Sequence, residues 1–446
     1  MRDPCSSVEV PDPLRFPEIF RSRDFRLLWA GQFASVLAEQ FFLVALPWLV
    51  LQLTGNAFAV GTVVAVTAAP RAVFLLLGGA LLDRFSPRTI MLYSNVGRMV
   101  LVAALAVLTV TGSVHLWMLY VFALLLGLGY AVYLPAQSAI VPRMVSNERL
   151  HTGNAIIQGT FQLSRAIGPV LAGVLIALLG TSRIGTASAP NSSGVGIVFG
   201  LEAGSFLVST VTLMMFALSP RSQERGRATR RPSITRSLGD GFALVWRDKT
   251  LRHYFVLIGL VNLALLGPIS VGLPMLAQAR FPGGGALAYG AILSGLGLGA
   301  VSGVVAGGTL RPPPGRTFPA ALLGSCALLG IGLALLGAFS SAAASAAAAF
   351  VIGLAEGYLT VEFITWLQLR TSRAELGCMM GILLFASLGQ APLSSLVAGA
   401  LMGFGVSAVM IGAGCFIVVV ALIASVSPAV WQLSGAGVAA AQGASP

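Results

Sequence analysis

Acidic residues, lysine, histidine and cysteine are all scarce in this chain, and each scarcity removes a class of function. The one lysine is Lys249, in "WRDKT", and Asp248 rather than a glycine precedes it. The Gly-rich loop ending in Gly-Lys-Ser/Thr that cradles a nucleotide triphosphate is therefore missing, and the chain has no ATP site of that kind. The three histidines, His115, His151 and His253, sit in loops or at a span edge with neither a nucleophile nor metal-ligand spacing around them, so they read as interfacial residues. Cys5, Cys326, Cys378 and Cys415 are scattered and form no CxxC, which indicates neither a disulfide framework nor a metal site. With no clustered catalytic set, the expectation is no enzyme, no metal and no cofactor.

What fills the chain instead is apolar. Of 446 residues 56% are hydrophobic and 9% charged, with a mean hydropathy of +0.88, far from the balance of a soluble globular protein. A span needs about 20 apolar residues to cross a hydrocarbon core of roughly 30 Å. Twelve such runs lie near 27–53, 59–82, 89–111, 116–138, 154–180, 195–218, 254–279, 287–310, 318–339, 344–369, 379–403 and 405–428. The last two are separated by little more than Phe404. The reading is an all-α membrane protein with twelve transmembrane helices, with the lipid bilayer as its surroundings.

A net charge of +12 raises the question of a nucleic-acid partner. With both termini on one side, 22 of the 27 cations fall on inner segments, two (Arg183 and Arg280) on outer loops and three within spans. That is the positive-inside asymmetry, and it accounts for the charge. No basic face interleaved with aromatics supports a nucleic-acid role. The termini are thus expected to be cytoplasmic. Residues 1–26 form a polar inner segment, and the first span is too long for a signal-peptide core and lacks a small-residue cleavage site. It is expected to stay as an anchor.

The longest polar interval, 219–252, divides the spans six and six. Its "RSQERGRATRRPSITR" reads as a flexible basic linker, and "SLGDGFALVWRD" as a short surface helix. The division is then 27–218 and 253–429 for the two halves, with 430–446 as an inner tail. "GALLDRFSPR" after the second span and "GTLRPPPGR" after the eighth align at a constant shift, pairing Gly79 with Gly307, Leu82 with Leu310 and Arg88 with Arg316. Such a repeat suits a secondary transporter built from two related halves around a central substrate site.

"GALLDRFSPRTI" resembles the inner-loop signature of the major facilitator superfamily, with Ser86 and Pro87 in place of the usual Gly and basic residue. "AIGPVLAG" at 166–173 resembles the fifth-helix motif of its exporters, carried by Gly168, Pro169 and Gly173, with Ala172 replacing one glycine. "RDFRLLWAGQ", "ALPWLVLQLTG", "GPISVGLP" and "TWLQLRTSRAELG" look, in this order, like the drug, macrolide and siderophore exporter branch. The resemblance implies the major facilitator fold of two pseudo-symmetric six-helix halves. It also implies a gating motif at Gly79, Asp83, Arg84 and Arg88, in which Asp83 latches the inner side by accepting backbone N–H groups at the start of the eleventh helix. The fourth span, "LYVFALLLGLGYAVYLPAQ", departs from many proton antiporters of the family in lacking a membrane Arg.

Seven ionisable residues lie within spans: Glu39, Arg71, Arg98, Arg165, Glu202, Glu356 and Glu362. Each costs about 2.5–3.5 kcal/mol at mid-membrane on insertion scales and so needs an account. At 1.5 Å per residue, Glu39 and Arg71 share a depth of roughly 17–18 Å, and Arg165 and Glu356 one of roughly 18–20 Å. In the family's arrangement all four belong to cavity-lining spans. Glu39 has two readings: a fixed ion pair with Arg71, or a carboxylate that gains a proton when desolvated and loses it when water or a cation arrives. The residues Arg165, Glu356, Glu362 and Gln390 are expected at the substrate cavity. Glu356 and Glu362, about 120° apart on their helix, cannot both point squarely into it. Arg98 and Glu202 fall on spans the family uses as outer scaffold and read as structural. The expected function is export of a small amphipathic molecule (antibiotic, secondary metabolite or siderophore) by proton antiport, from a bacterial cytoplasmic membrane. An importer or lipid translocator on the same fold is the alternative, with a non-transporting sensor or intramembrane enzyme further off.

Overall fold

A computed structural model describes residues 20–82, 86–144, 150–179, 192–215, 246–310, 317–371 and 376–431. The inner segment before residue 20, the linker at 216–245, the tail from 432, Asp83 and Arg84 lie outside the described residues. In chain order the helices are α1 Arg23–Thr54, α2 Ala57–Leu82, α3 Pro87–Val110, α4 Leu116–Met144, α5 Leu150–Leu179 and α6 Ser192–Met215. They continue with α7 Lys249–Arg280, α8 Gly285–Thr309, α9 Thr317–Ala338, α10 Ala342–Arg370, α11 in two pieces (Leu376–Leu388 and Ala391–Leu401) and α12 Val406–Val426. Eleven helical stretches among the described residues are long and apolar enough to cross a membrane, and α2 contributes a shorter apolar stretch, Ala57–Val73.

The helix ends follow local chemistry. Ser22 caps α1 by accepting from Phe25 N–H, and Gly55, at φ 59°, closes it in the left-handed conformation that glycine adopts without strain. Ser86 caps α3 with Pro87 in the first turn, where a missing N–H costs nothing. Asp248 caps α7 through Thr250 and Leu251 N–H at 2.8 and 3.2 Å. The thin boundary read at Phe404 is a 3₁₀ turn, Met402–Phe404, followed by Gly405 at φ 109°.

Packing repeats with a shift of six helices. In the first half α1 packs on α5 and α6, α3 on α4 and α6, and α2 on α4; in the second α7 packs on α11 and α12, α9 on α10 and α12, and α8 on α10. The halves meet through α2 with α11 and α5 with α8, which exchange under the same shift. Position sets burial: 78% of the apolar core of α1 is buried but only 22% of that of α12, so α1 is central and α12 peripheral. The outward faces of α3, α6, α9 and α12 present Val100, Val107, Leu207, Leu335 and Leu422 to the surroundings. The chain is a multi-pass membrane protein, and such a face suits lipid tails.

α7 is not a continuous α-helix. Its ladder breaks at a π turn, Pro268–Gly272. Ser394 Oγ of α11 accepts from Gly267 N–H at 2.7 Å and donates to Leu263 C=O at 2.6 Å, bridging two groups that an unbroken helix would pair with each other. Arg280, read from the sequence as an outer-loop cation, is the last residue of α7. It donates to the carbonyls of Leu336, Gly337 and Phe339 and to Ser407 Oγ, satisfying the carboxyl-terminal carbonyls of α9.

Candidate functional site

Between the halves lies a cavity of about 280 Å³, lined by α1, α2, α5, α7 and α8. Its walls are mostly apolar (Leu43, Leu46, Ile269, Leu293), with Gln40, Thr67, Arg71, Arg165 and Ser270 as the polar groups. An apolar pocket with a few convergent polar groups is the usual form of a small-molecule site. At the end of the bundle where α1 finishes, the halves are in contact. Trp48 stacks on Tyr289 with centroids 6.2 Å apart, and a Cβ on Gly61 would stand 3.0 Å from Gly399 Cα.

The exporter-like residues sit on this seam. Gly168 faces the Gln40 side chain of α1, and a Cβ on Gly173 would lie 3.1 Å from Gly290 Cα, across the halves. Pro169 lines the cavity, and the next residue, Val170, donates its N–H to Ser294 Oγ of α8 at 2.9 Å.

Two ion pairs join the residues that share a depth. Arg71 Nη2 lies 3.5 Å from Glu39 Oε1, with side chains 29% and 13% exposed. Arg165 Nη2 lies 3.8 Å from Glu356 Oε1, bridging α5 and α10 across the halves, with side chains 41% and 39% exposed. The second pair is open enough to water that its strength is on the order of a surface bridge. Glu356 also lines a second cavity, of about 300 Å³, enclosed within the second half by α7, α9, α10 and α11. That cavity is lined mainly by aliphatic side chains, with Tyr254 stacked on Phe363 at a centroid distance of 5.7 Å.

Behind Arg71, away from the central cavity, is a small chamber lined by Glu39, Arg71, Arg98, Tyr130, Glu202 and Phe206, among others. Arg71 lines both spaces, its guanidinium 3.8 Å above the Tyr130 ring. Arg98, buried on α3, donates to Asn95 Oδ1 at 2.7 Å, and Asn95 Nδ2 donates to Ser209 Oγ of α6 at 2.9 Å. It also lies 4.3 Å from the Tyr133 ring centroid and 4.5 Å from that of Phe206. Tyr133 and Gln137 both donate to Gln32 Oε1 at 3.0 Å, tying α4 to α1. The arginine missing from the fourth span is thus matched by one from α3 lying on α4's tyrosines.

Other candidates fall elsewhere. Glu362 is buried and hydrogen-bonded to Tyr358 one turn before it, lining neither cavity. Gln390 occupies the bend between the two pieces of α11, donates to Ala386 C=O at 2.9 Å and lines neither cavity. Of the gating motif, Gly79 lies in the last turn of α2. Arg88 donates to Leu213 and Met214 C=O at 2.9 and 3.0 Å, capping α6. No group of three or more His, Cys, Asp or Glu able to hold a metal occurs among the described residues.

Sequence reasoning missed Tyr130, Tyr133, Asn95 and the inward face of α6. Periodicity held the signal: Asn95 and Arg98, Tyr130 and Tyr133, and Phe199, Glu202 and Phe206 each share one helix face at spacings of three or four.

Against known proteins, residues 28–391 match the family model described as Major Facilitator Superfamily. Macrolide efflux protein A of Streptococcus pyogenes is 22% identical over 58% of this chain and 60% of its own, so the chain spans about three fifths of that relative. Enterobactin exporter EntS of Escherichia coli is 26% identical over 69% of each chain. Among solved structures, the nucleoside transporter NupG superposes with a TM-score of 0.67 over 91% of this chain and 98% of its own, at 14% identity.

Proposed function

The chain belongs to the major facilitator superfamily, and from that membership we propose that it exports a small amphipathic molecule by proton antiport and alternating access. The observation that carries this reading is Arg71 on the wall of a mostly apolar cavity between the halves, in ion-pair contact with Glu39 of the chamber behind it. An amphipathic molecule fills that cavity with its apolar body and presents its polar group to Arg71 or to Arg165, the partner of Glu356. As the halves close over Glu39 and water leaves, the carboxylate binds a proton; when the cavity wets from the other side and Arg71 returns, the proton leaves. The efflux relatives support the outward direction for antibiotic, secondary-metabolite or siderophore-like substrates. The fold alone is shared with a nucleoside transporter and does not set direction. Flux in reconstituted vesicles tests this: with a proton gradient directed into the compartment that corresponds to the cell interior, a labelled macrolide is expected to leave that compartment. Entry would establish an importer instead.

The 22-to-2 distribution of loop cations supports a bacterial cytoplasmic membrane with both termini inside. In a Cys-free background, single cysteines near Arg230 and Arg316 are expected to resist impermeant reagents in whole cells, and one near Ser193 to label. Labelling at Arg230 from outside overturns this topology.

Asp83 carries the proposed latch. Asp83→Asn keeps the shape and removes the charge, so it is expected to weaken closure by on the order of 1 kcal/mol and slow transport about fivefold. Transport equal to the parent at equal protein level would make Asp83 a turn residue only.

A further inference from the structure

Glu202, on α6, is 3% exposed, and its Oε2 accepts no hydrogen bond from any described residue. It nonetheless lines the chamber behind Arg71, a space of about 20 Å³, which is room for one water. Glu39 of α1, Arg71 of α2, Arg98 of α3 and Tyr130 of α4 line the same space. Two acidic and two basic groups therefore share one small chamber, yet only Arg71 and Glu39 are in ion-pair contact. Arg98 is held by Asn95 and by the Tyr133 and Phe206 rings, and its Nε has no partner among the described residues.

A buried carboxylate with an unsatisfied oxygen is unfavourable, and a bound proton removes its charge. The chamber cannot take a metal ion in place of the proton, because such a cation needs more oxygen ligands than two carboxyls offer and would face two guanidiniums. A proton is the ligand that fits. α6 packs on α1, α3 and α5. The ionisable groups that share Glu202's surroundings are Glu39, Arg71, Arg98, Tyr130 and Tyr133, while Arg165 of α5 lines the central cavity instead.

We propose that Glu202 is a second proton-binding residue of the transport cycle, exchanging a proton with Glu39 through the chamber. This rests on the reading of Glu39 as the coupling carboxylate. In the exchange the Glu202 O–H bond breaks as its proton passes to one chamber water, and that water passes a proton to Glu39, where a new O–H bond forms. The chamber's total charge is unchanged and no electron is transferred. Glu39 is 13% exposed and Glu202 3%, and Arg71 beside Glu39 lines both spaces, so protons enter and leave by way of Glu39. Two carboxyls in one chamber titrate as a coupled pair, in two steps that belong to the pair.

The test uses the full-length protein in lipid vesicles, with the proton as the probe. Infrared difference spectra across a pH series read the C=O stretch of protonated carboxyl groups. Subtracting each variant's spectra from the parent's cancels the other carboxyl groups among the 15 Asp and Glu, and Glu202→Gln and Glu39→Gln are each expected to lose one titration step of the parent's band. If Glu202→Gln titrates like the parent while Glu39→Gln loses a step, the inference fails and the reading of Glu39 stands. If neither variant changes the titration, both fail. Should Glu202→Gln not reach the membrane, Glu202→Asp retains the carboxyl one methylene shorter. It is expected to keep two steps with one band displaced, and a spectrum identical to the parent's overturns the proposal.

Discussion

Replacing Glu39 by Gln is expected to reduce pH-gradient-driven export to the level of passive leak while leaving substrate binding measurable. The amide keeps the volume and can still accept a hydrogen bond from Arg71, 3.5 Å away in the parent, but it cannot release a proton. Arg71 stays over the Tyr130 ring, so the cavity wall keeps its shape. Arg71→Ala should behave differently, because it leaves a carboxylate in the core without its cation. For a fully buried pair the loss is about 3–5 kcal/mol; with Arg71 29% exposed it is smaller, and lowered yield or weaker binding is the expected readout. Export by Glu39→Gln, measured in vesicles with and without a gradient, separates the two readings of this residue. Gradient-driven accumulation at the parent's rate would make Glu39 a fixed structural partner and move any coupling carboxylate to α10.

The second large effect concerns folding. Gly353→Leu is expected to abolish recovery of folded, monodisperse protein. A Cβ at Gly353 would run into the Leu296 carbonyl and stand 2.7 Å from Ala300 N, both backbone atoms of α8 that cannot swing aside. Gly299, Gly303 and Gly357 meet the opposite helix in the same way, so all of these contacts depend on one close approach of α8 and α10. In membranes, helices associate through such packing between small residues rather than through the hydrophobic effect. Overpacking elsewhere costs about 1–3 kcal/mol, and here the whole seam must separate. Gly324→Ala on α9, where a Cβ meets nothing within 4 Å, is the control and should leave size-exclusion profiles unchanged. A normal profile for Gly353→Leu would mean that this seam does not limit folding.

Helix number, the six-and-six division and the ion pairs were legible because hydropathy and depth are one-dimensional quantities. Counting residues from a span's end gives an axial coordinate, and that brought Glu39 to Arg71 and Arg165 to Glu356. It gives no azimuth. Glu202 and Arg98 lie on helices that flank the first half, yet the faces carrying Phe199, Glu202 and Phe206 on α6 and Asn95 and Arg98 on α3 turn inward. There Phe42 of α1 reaches the Phe199 ring at 6.2 Å and Arg98 reaches Tyr133 of α4. Gln390 illustrates the same limit from the other side. The break of α11 at Gly389 and Gln390 turns its side chain onto its own helix, and span-level reading treats that helix as straight. The insertion of Ser394 into α7 depends on how two distant segments cross, for which neither hydropathy nor spacing carries a signal.

Proton movement driven by substrate alone tests the central claim most directly. Vesicles containing the parent protein and an enclosed pH-sensitive dye start with equal pH on both sides, and a labelled macrolide or siderophore is then added to the outside. The account predicts that substrate entering the vesicles drives protons out, so that the interior turns alkaline, and that Glu39→Gln removes the dye signal. Substrate uptake at the parent's rate with no change in interior pH, or with acidification, would contradict it.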